Sequence, residues 1–109
     1  MSEAGVNIWA LDKDQGIRHL LLLLQEQLGQ HAFRMDNQTR TDARAIYLRD
    51  PLDSAMSAYI YTIGQPDGRY GVHLEYPDAA VEANRFNVHE NLSFRVLADL
   101  LAIHFSVSG

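Results

Sequence analysis

The apolar residues of segment 12–30 recur every three or four positions, which is the spacing of one face of an α-helix. This stripe consists of Ile17, Leu20, Leu21, Leu24 and Leu28. An aspartate (Asp12 or Asp14) suits the helix start and Gly29 suits its end, so the pattern predicts a helix over residues 12–30. Leu22 and Leu23 widen the apolar face beyond the needs of a lone surface helix. We expect either the preceding residues, including Trp9 and Leu11, or a second chain to cover it.

Three segments in the middle of the chain have β-strand patterns, at residues 43–49, 56–63 and 69–76. The third alternates most clearly, with one face formed by Tyr70, Val72, Leu74 and Tyr76 and the other by Arg69, Gly71, His73 and Glu75. Residues 31–36 are a candidate short edge strand. The Gln-Pro-Asp-Gly sequence at 65–68 predicts a hairpin turn, because proline presets a turn position and glycine accepts a positive φ.

A second helical pattern lies near the end of the chain, over residues 92–105, with Asn91 as its predicted cap. Its stripe consists of Phe94, Leu97, Leu100, Leu101 and His104. Residues 77–90 are polar and have no period, so we expect them to be irregular. The sequence therefore predicts a single α+β domain over residues 1–109. It is a two-layer sandwich, with an antiparallel meander sheet of three or four strands carrying the N- and C-terminal helices on one face.

The register of the central hairpin decides which side chains face away from the helices. A three-residue loop pairs Thr62 with Val72 and Ile60 with Leu74, which places Tyr59 and Tyr61 on the outer face. A four-residue loop pairs Tyr61 with Val72 and puts the tyrosines into the core. We favour the three-residue loop, because Pro-Asp-Gly suits a type I turn closed by a positive-φ glycine.

The favoured register predicts a candidate interaction surface on the outer face of the sheet. It consists of Tyr59, Tyr61, Ile63, Arg69, His73 and Glu75. Tyrosine and arginine dominate the energetics of protein interfaces, and contiguous exposed apolar patches mark interaction sites. The alternative interpretation is structural, because tyrosines also occur as ordinary cross-strand pairs on exposed sheets.

Composition excludes several classes of function. Cysteine is absent, which removes disulfides, thiolate metal sites and a thiol nucleophile, and favours a reducing compartment. Neither a secretory signal pattern nor an apolar run long enough to span a bilayer is present, so the sequence predicts a cytoplasmic protein. The net charge of −5 argues against nucleic acid and membrane surfaces as partners.

The sequence offers only weak patterns for catalytic and metal-binding residues. None of the five histidines stands in a motif with metal-ligand spacing. His73 and Glu75 share a strand face, but two ligands do not make a metal site. The polar residues around Ser93 suit a helix cap better than a catalytic triad. The sequence predicts no metal and no cofactor, and it identifies no catalytic residue.

The order of helix, three strands and helix resembles that of double-stranded RNA-binding domains. A basic start to the last helix is expected in those domains, whereas this chain reads His89-Glu90-Asn91-Leu92 and is acidic. The chain is also similar to small acidic dimeric chaperones of bacterial type III secretion, through its leucine-rich first helix, antiparallel sheet and charge. Those usually have further strands and a helix between strands. No functional residue is carried over from either family.

Two functional hypotheses follow from the sequence. The leading one is a non-enzymatic protein-interaction module, such as an adaptor, a chaperone or an inhibitor-like protein, that binds a protein partner. We expect this module to form a homodimer. The alternative is a small ligand-binding or enzymatic domain. Its pocket would lie between the sheet and the helices, lined by His73, Tyr76, Arg95 or His104.

Overall fold

The fold is an antiparallel sheet flanked by helices. A computed structural model describes residues 8, 13–36, 42–53, 55–76 and 87–105 of the chain. The described residues form two helices and a five-stranded antiparallel sheet with strands in sequence order. The elements are α1 (Gln15–Leu28), β1 (Arg34–Asp36), β2 (Ala45–Arg49), β3 (Ser57–Tyr61), β4 (Tyr70–Glu75), β5 (Val88–Leu92) and α2 (Phe94–His104).

Side-chain caps set where the helices begin. The carboxylate of Asp14 accepts a hydrogen bond of 2.9 Å from the Ile17 amide, so α1 starts after Asp14. Gly29 adopts a φ of 105° immediately after α1, a conformation that glycine tolerates best. The Ser93 hydroxyl accepts a bond of 3.3 Å from the Val96 amide and caps α2. The predicted Asn91 cap is wrong, because Asn91 belongs to the strand that precedes α2.

The sheet has five strands within the described residues, so the predicted count of three or four is wrong. The additional strand is β5, which pairs with β4 in a segment whose beginning we expected to be irregular. Its ladder contains a register shift between Tyr70 and Val72, and Asn91 has a φ of 58°. The candidate edge strand within residues 31–36 is confirmed as β1.

The hairpin register differs from both predicted registers. Ile60 pairs with Val72 and Ala58 pairs with Leu74. The strand β3 ends at Tyr61 and β4 begins at Tyr70. The connection therefore spans residues 62–69, longer than either loop we considered. Pairing is displaced by two positions from the favoured register, and side chains alternate with a period of two. The favoured assignment of the strand faces is therefore confirmed, although its residue pairs are wrong.

The core lies between the helices and one face of the sheet. It contains buried residues of α1, α2 and the sheet: Ile17, Leu20, Leu21, Leu24, Ile46, Leu48, Ala58, Ile60, Val72, Leu74, Leu97 and Leu101. Ile8, from the segment before α1, is also buried there, and Leu22 packs against this cluster while partly buried. The wide apolar face of α1 is thus covered in part from within the chain. Trp9 and Leu11 lie outside the described residues.

Neither helix in the described part of the chain is both long and apolar enough to cross a membrane.

Candidate functional site

The sheet face opposite the core carries most of the candidate residues. The core takes Ile46 and Leu48 of β2, Ala58 and Ile60 of β3, and Val72 and Leu74 of β4. Because side chains alternate along a strand, the intervening residues point to the other side of the sheet. We call that side the outer face. It includes Tyr47, Arg49, Ser57, Tyr59, Tyr61, Gly71, His73 and Glu75.

Three tyrosine rings form a continuous group on the outer face, which we call the tyrosine ladder. Tyr47 and Tyr59 are directly opposite each other on β2 and β3, with ring centroids 4.9 Å apart. Tyr59 and Tyr61 follow on the same strand face, with centroids 5.7 Å apart. These distances are typical of attractive aromatic pairs. Each ring is half-buried by its neighbours, so the ladder is a preformed apolar surface with polar hydroxyl ends.

A glycine makes room for the last ring of the ladder. Gly71 lies opposite Tyr61 in the β3–β4 register. A Cβ atom at position 71 would lie 2.3 Å from both Cε2 and Cζ of Tyr61, closer than carbon atoms can approach. The absence of a side chain at Gly71 therefore allows the Tyr61 ring to lie flat across the neighbouring strand.

Carboxylates accept hydrogen bonds from two of the three hydroxyl groups of the ladder. The Tyr61 hydroxyl donates a 2.5 Å hydrogen bond to Glu90 of β5, and the Tyr47 hydroxyl donates a longer one of 3.4 Å to Glu75. The Ser57 hydroxyl donates to the second oxygen of Glu75 at 2.9 Å. Burial, followed by the Glu90 carboxylate, raises the pKa of Tyr61 to about 12. Burial and Glu75 also raise the pKa of Tyr47. Both phenols thus remain protonated donors at neutral pH.

One end of the ladder already carries a cation. The Arg49 guanidinium lies 4.9 Å from the centroid of the Tyr47 ring. Its Nε and Nη2 atoms are both 2.9 Å from Oδ2 of Asp36, on the neighbouring strand β1. The guanidinium is therefore held by an aromatic ring and a carboxylate together.

On the core side of the sheet, α2 carries a buried histidine that contacts β3. His104 of α2 is 5% exposed, and its Nε2 atom lies 2.7 Å from the carbonyl oxygen of Ser57. A carbonyl oxygen can only accept, so Nε2 carries the hydrogen. The Nδ1 atom is buried and has no hydrogen-bond partner among the described residues. The ring contacts Tyr76 edge-on, with centroids 4.8 Å apart.

Burial lowers the pKa of His104, and this makes folding stability depend on pH. The hydrogen bond to the Ser57 carbonyl, the backbone of Glu75 and the charges of Asp50 and Glu75 oppose the shift without cancelling it. In the unfolded chain His104 takes up its proton near the ordinary value of 6.5, whereas the folded ring does so only at lower pH. The unfolded state therefore binds more protons below about pH 6.5, and stability falls there as the pH decreases.

The predicted fall in stability at low pH can be tested directly by chemical unfolding. We expect His104→Gln, which keeps an N–H donor for the Ser57 carbonyl but does not titrate, to lose less stability between about pH 7.5 and about pH 5.5 than the unaltered chain. The measurement is the free energy of unfolding in urea at both pH values. His31→Gln, in the exposed turn after α1, controls for the replacement of a histidine outside the core. Equal pH dependence in all three proteins would contradict the prediction.

The structure places four of the six predicted surface residues together and two apart. Tyr59 and His73 are directly opposite each other on the outer face, and Tyr61 and Glu75 lie on the same face of the same two strands. The remaining two residues, Ile63 and Arg69, lie in the 62–69 connection rather than in a strand.

Sequence reasoning missed Tyr47, Arg49 and Glu90 as members of this surface. Tyr47 and Arg49 alternate with Ile46 and Leu48, which was a usable signal, but their neighbours could not be known without the β2–β3 register. Glu90 belongs to the strand that the sequence did not predict.

The residues of the alternative pocket do not converge. Tyr76 and His104 are in contact, but His73 lies on the opposite face of the sheet and Arg95 is exposed on α2. No group of three or more histidine, aspartate or glutamate side chains suited to a metal ion occurs within the described residues.

Comparisons of the chain with protein-family models, with curated proteins and with solved structures find no match.

Proposed function

We propose that this chain is a non-enzymatic protein-interaction module and that the outer face of its sheet is the contact surface. The observation that carries the proposal is the tyrosine ladder on the sheet face away from both described helices. Its rings are fixed by one another and by carboxylates, so little side-chain entropy remains to be lost when a partner binds. Tyrosine supplies apolar area together with a hydroxyl, which is the combination enriched at interface hot spots.

A capture experiment with the intact chain tests this proposal. The unaltered protein and the variants Tyr59→Ala and Glu26→Ala are immobilised and exposed to extract of the native cell. Tyr59 contacts both other rings of the ladder, whereas Glu26 is exposed on α1. Thermal unfolding first establishes that both variants are folded.

We expect the unaltered chain and the Glu26→Ala variant to capture a common set of proteins. The Tyr59→Ala variant should fail to capture that set. Truncation of a central interface tyrosine costs on the order of 2 kcal/mol of binding free energy, about thirtyfold in affinity. Identical capture by all three proteins would show that the outer face is not the contact surface.

The predicted homodimer remains a proposal. It is supported by two apolar side chains of α2 that face solvent in the single chain, Val96 at 45% exposure and Ile103 at 78%. A symmetric dimer would cover such a stripe on both copies at once. Sedimentation of the full chain over a range of concentrations tests it, and a monomer at the highest concentration would contradict it.

A further inference from the structure

The outer face contains its own example of how a cation is bound. Arg49 lies over the Tyr47 ring and is paired with Asp36 through two nitrogen atoms. This arrangement combines the two attractions that a guanidinium offers, one to the negative face of an aromatic ring and one to a carboxylate. It occupies only one end of the tyrosine ladder.

The remainder of the ladder has rings with carboxylates near them, and no cation lies over Tyr59 or Tyr61 among the described residues. Glu90 bonds the Tyr61 hydroxyl. Glu75 bonds the hydroxyls of Tyr47 and Ser57 and lies two residues along β4 from His73, the residue opposite Tyr59. The ion pairs formed among the described residues, Arg44 with Asp42 and Arg49 with Asp36, involve neither glutamate. Each carboxylate has about four acceptor positions. The hydroxyl bonds use two at Glu75 and one at Glu90, so acceptor capacity is left at both.

We propose that this part of the outer face binds an arginine-containing segment of a protein partner, with guanidinium groups over the tyrosine rings and bonded to Glu75 and Glu90. The inference rests on the proposed function and adds the chemical class of the partner. Arginine fits better than lysine, because its planar group stacks on rings, bonds carboxylates through two nitrogens and is more weakly hydrated. The chain's net charge of −5 adds a long-range attraction for a basic segment.

The sheet geometry gives the spacing of the arginines. Glu75 is four residues along β4 from Gly71, and Gly71 lies opposite Tyr61, whose hydroxyl bonds Glu90. Four residues of a strand span roughly 13 Å. An extended segment with two arginines four residues apart would therefore reach both carboxylates.

Two synthetic peptides serve as probes. One is a capped glycine–serine peptide with two arginines four residues apart, and the other has glutamines at those two positions. Each is titrated into the full chain, labelled with ¹⁵N, while the backbone amide signals are followed by NMR at low salt and at about 0.15 M salt. We expect the arginine peptide to shift signals of β3 and β4 more than those of α1. It should also bind about tenfold more tightly than the glutamine peptide.

Two double variants with the same net charge distinguish binding at this site from general electrostatic attraction to the acidic chain. The double variant Glu75→Gln/Glu90→Gln removes the two carboxylates of the face, and Glu26→Gln/Asp67→Asn removes two exposed carboxylates elsewhere. Both double variants have the same net charge. We expect the first to bind the arginine peptide about tenfold more weakly and the second to bind it within about twofold of the unaltered chain.

Equal weakening by both double variants, or equal binding of both peptides, would overturn the inference. The proposed function has a separate test. If capture of proteins depends on Tyr59 while the arginine peptide fails to bind, the class of partner is wrong and the interaction module stands. If capture is also unaffected by the Tyr59 variant, both proposals fail.

Discussion

Replacing Leu101 with alanine will destabilise the protein by about 2–5 kcal/mol. Leu101 is fully buried between α2 and the sheet, within the cluster that also contains Leu20 and Ile60. Removing three carbons there loses the transfer free energy of the side chain and leaves a cavity, because packed surroundings collapse only partly. For a domain of this length, a loss of a few kcal/mol is a large fraction of the total stability.

Ile103 provides the matched control for this prediction. It lies two residues further along the same helix and is 78% exposed, so Ile103→Ala should change the free energy of unfolding by no more than about 0.5 kcal/mol. Both variants are measured by urea unfolding at one pH, with equal slopes required for the comparison. A similar loss at both positions would mean that α2 is not oriented as described, or that Ile103 is buried by a partner copy.

Gly71→Ala is expected to destabilise the protein by about 1–3 kcal/mol. The added methyl group would overlap the Tyr61 ring, so the ring must leave its position across β4 and its hydrogen bond to Glu90. By contrast, Gly16→Ala in the first turn of α1 meets only an ordinary contact of 3.6 Å with Asp14. It should stabilise by up to about 1 kcal/mol, since alanine is the better helix former.

A double-mutant cycle identifies the cause of the Gly71 effect. In a Tyr61→Ala background the overlap no longer exists, so the further change Gly71→Ala should be close to neutral. The coupling between the two substitutions is then expected to exceed about 1 kcal/mol. If Gly71→Ala costs the same in both backgrounds, the glycine is needed for its backbone and not for the ring that covers it.

Local patterns predicted those parts of the fold whose periodicity is strong. The leucine spacing of α1 and the alternation of β4 are each fixed by burial of one face, so they can be read without knowing any neighbour. The faces of Tyr59 and Tyr61 depended instead on the choice between two hairpin registers, and the favoured register predicted the correct faces with the wrong residue pairs. The caps were less certain, because several polar residues near each helix start could serve and only one has the right geometry.

The unpredicted parts depend on contacts between distant segments. β5 reads Val-His-Glu-Asn-Leu, which lacks clear alternation, and it becomes a strand by pairing with β4 at the sheet edge. The hairpin register depended on the length of the 62–69 connection, which turn propensities alone did not set. The grouping of Tyr47 and Arg49 with the other outer-face residues required both registers. The candidate site was therefore recovered in part, through its central strand.

Ser57 links the outer face of the sheet to α2 through two of its groups, the hydroxyl and the main-chain carbonyl. The hydroxyl of Ser57 bonds Glu75 on one side of the sheet, while its main-chain carbonyl accepts from His104 on the other. An alanine at this position would delete the first bond and leave the second, since every residue retains a carbonyl. A substitution at Ser57 can therefore change the polar groups of the outer face without removing the contact that holds α2 to the sheet.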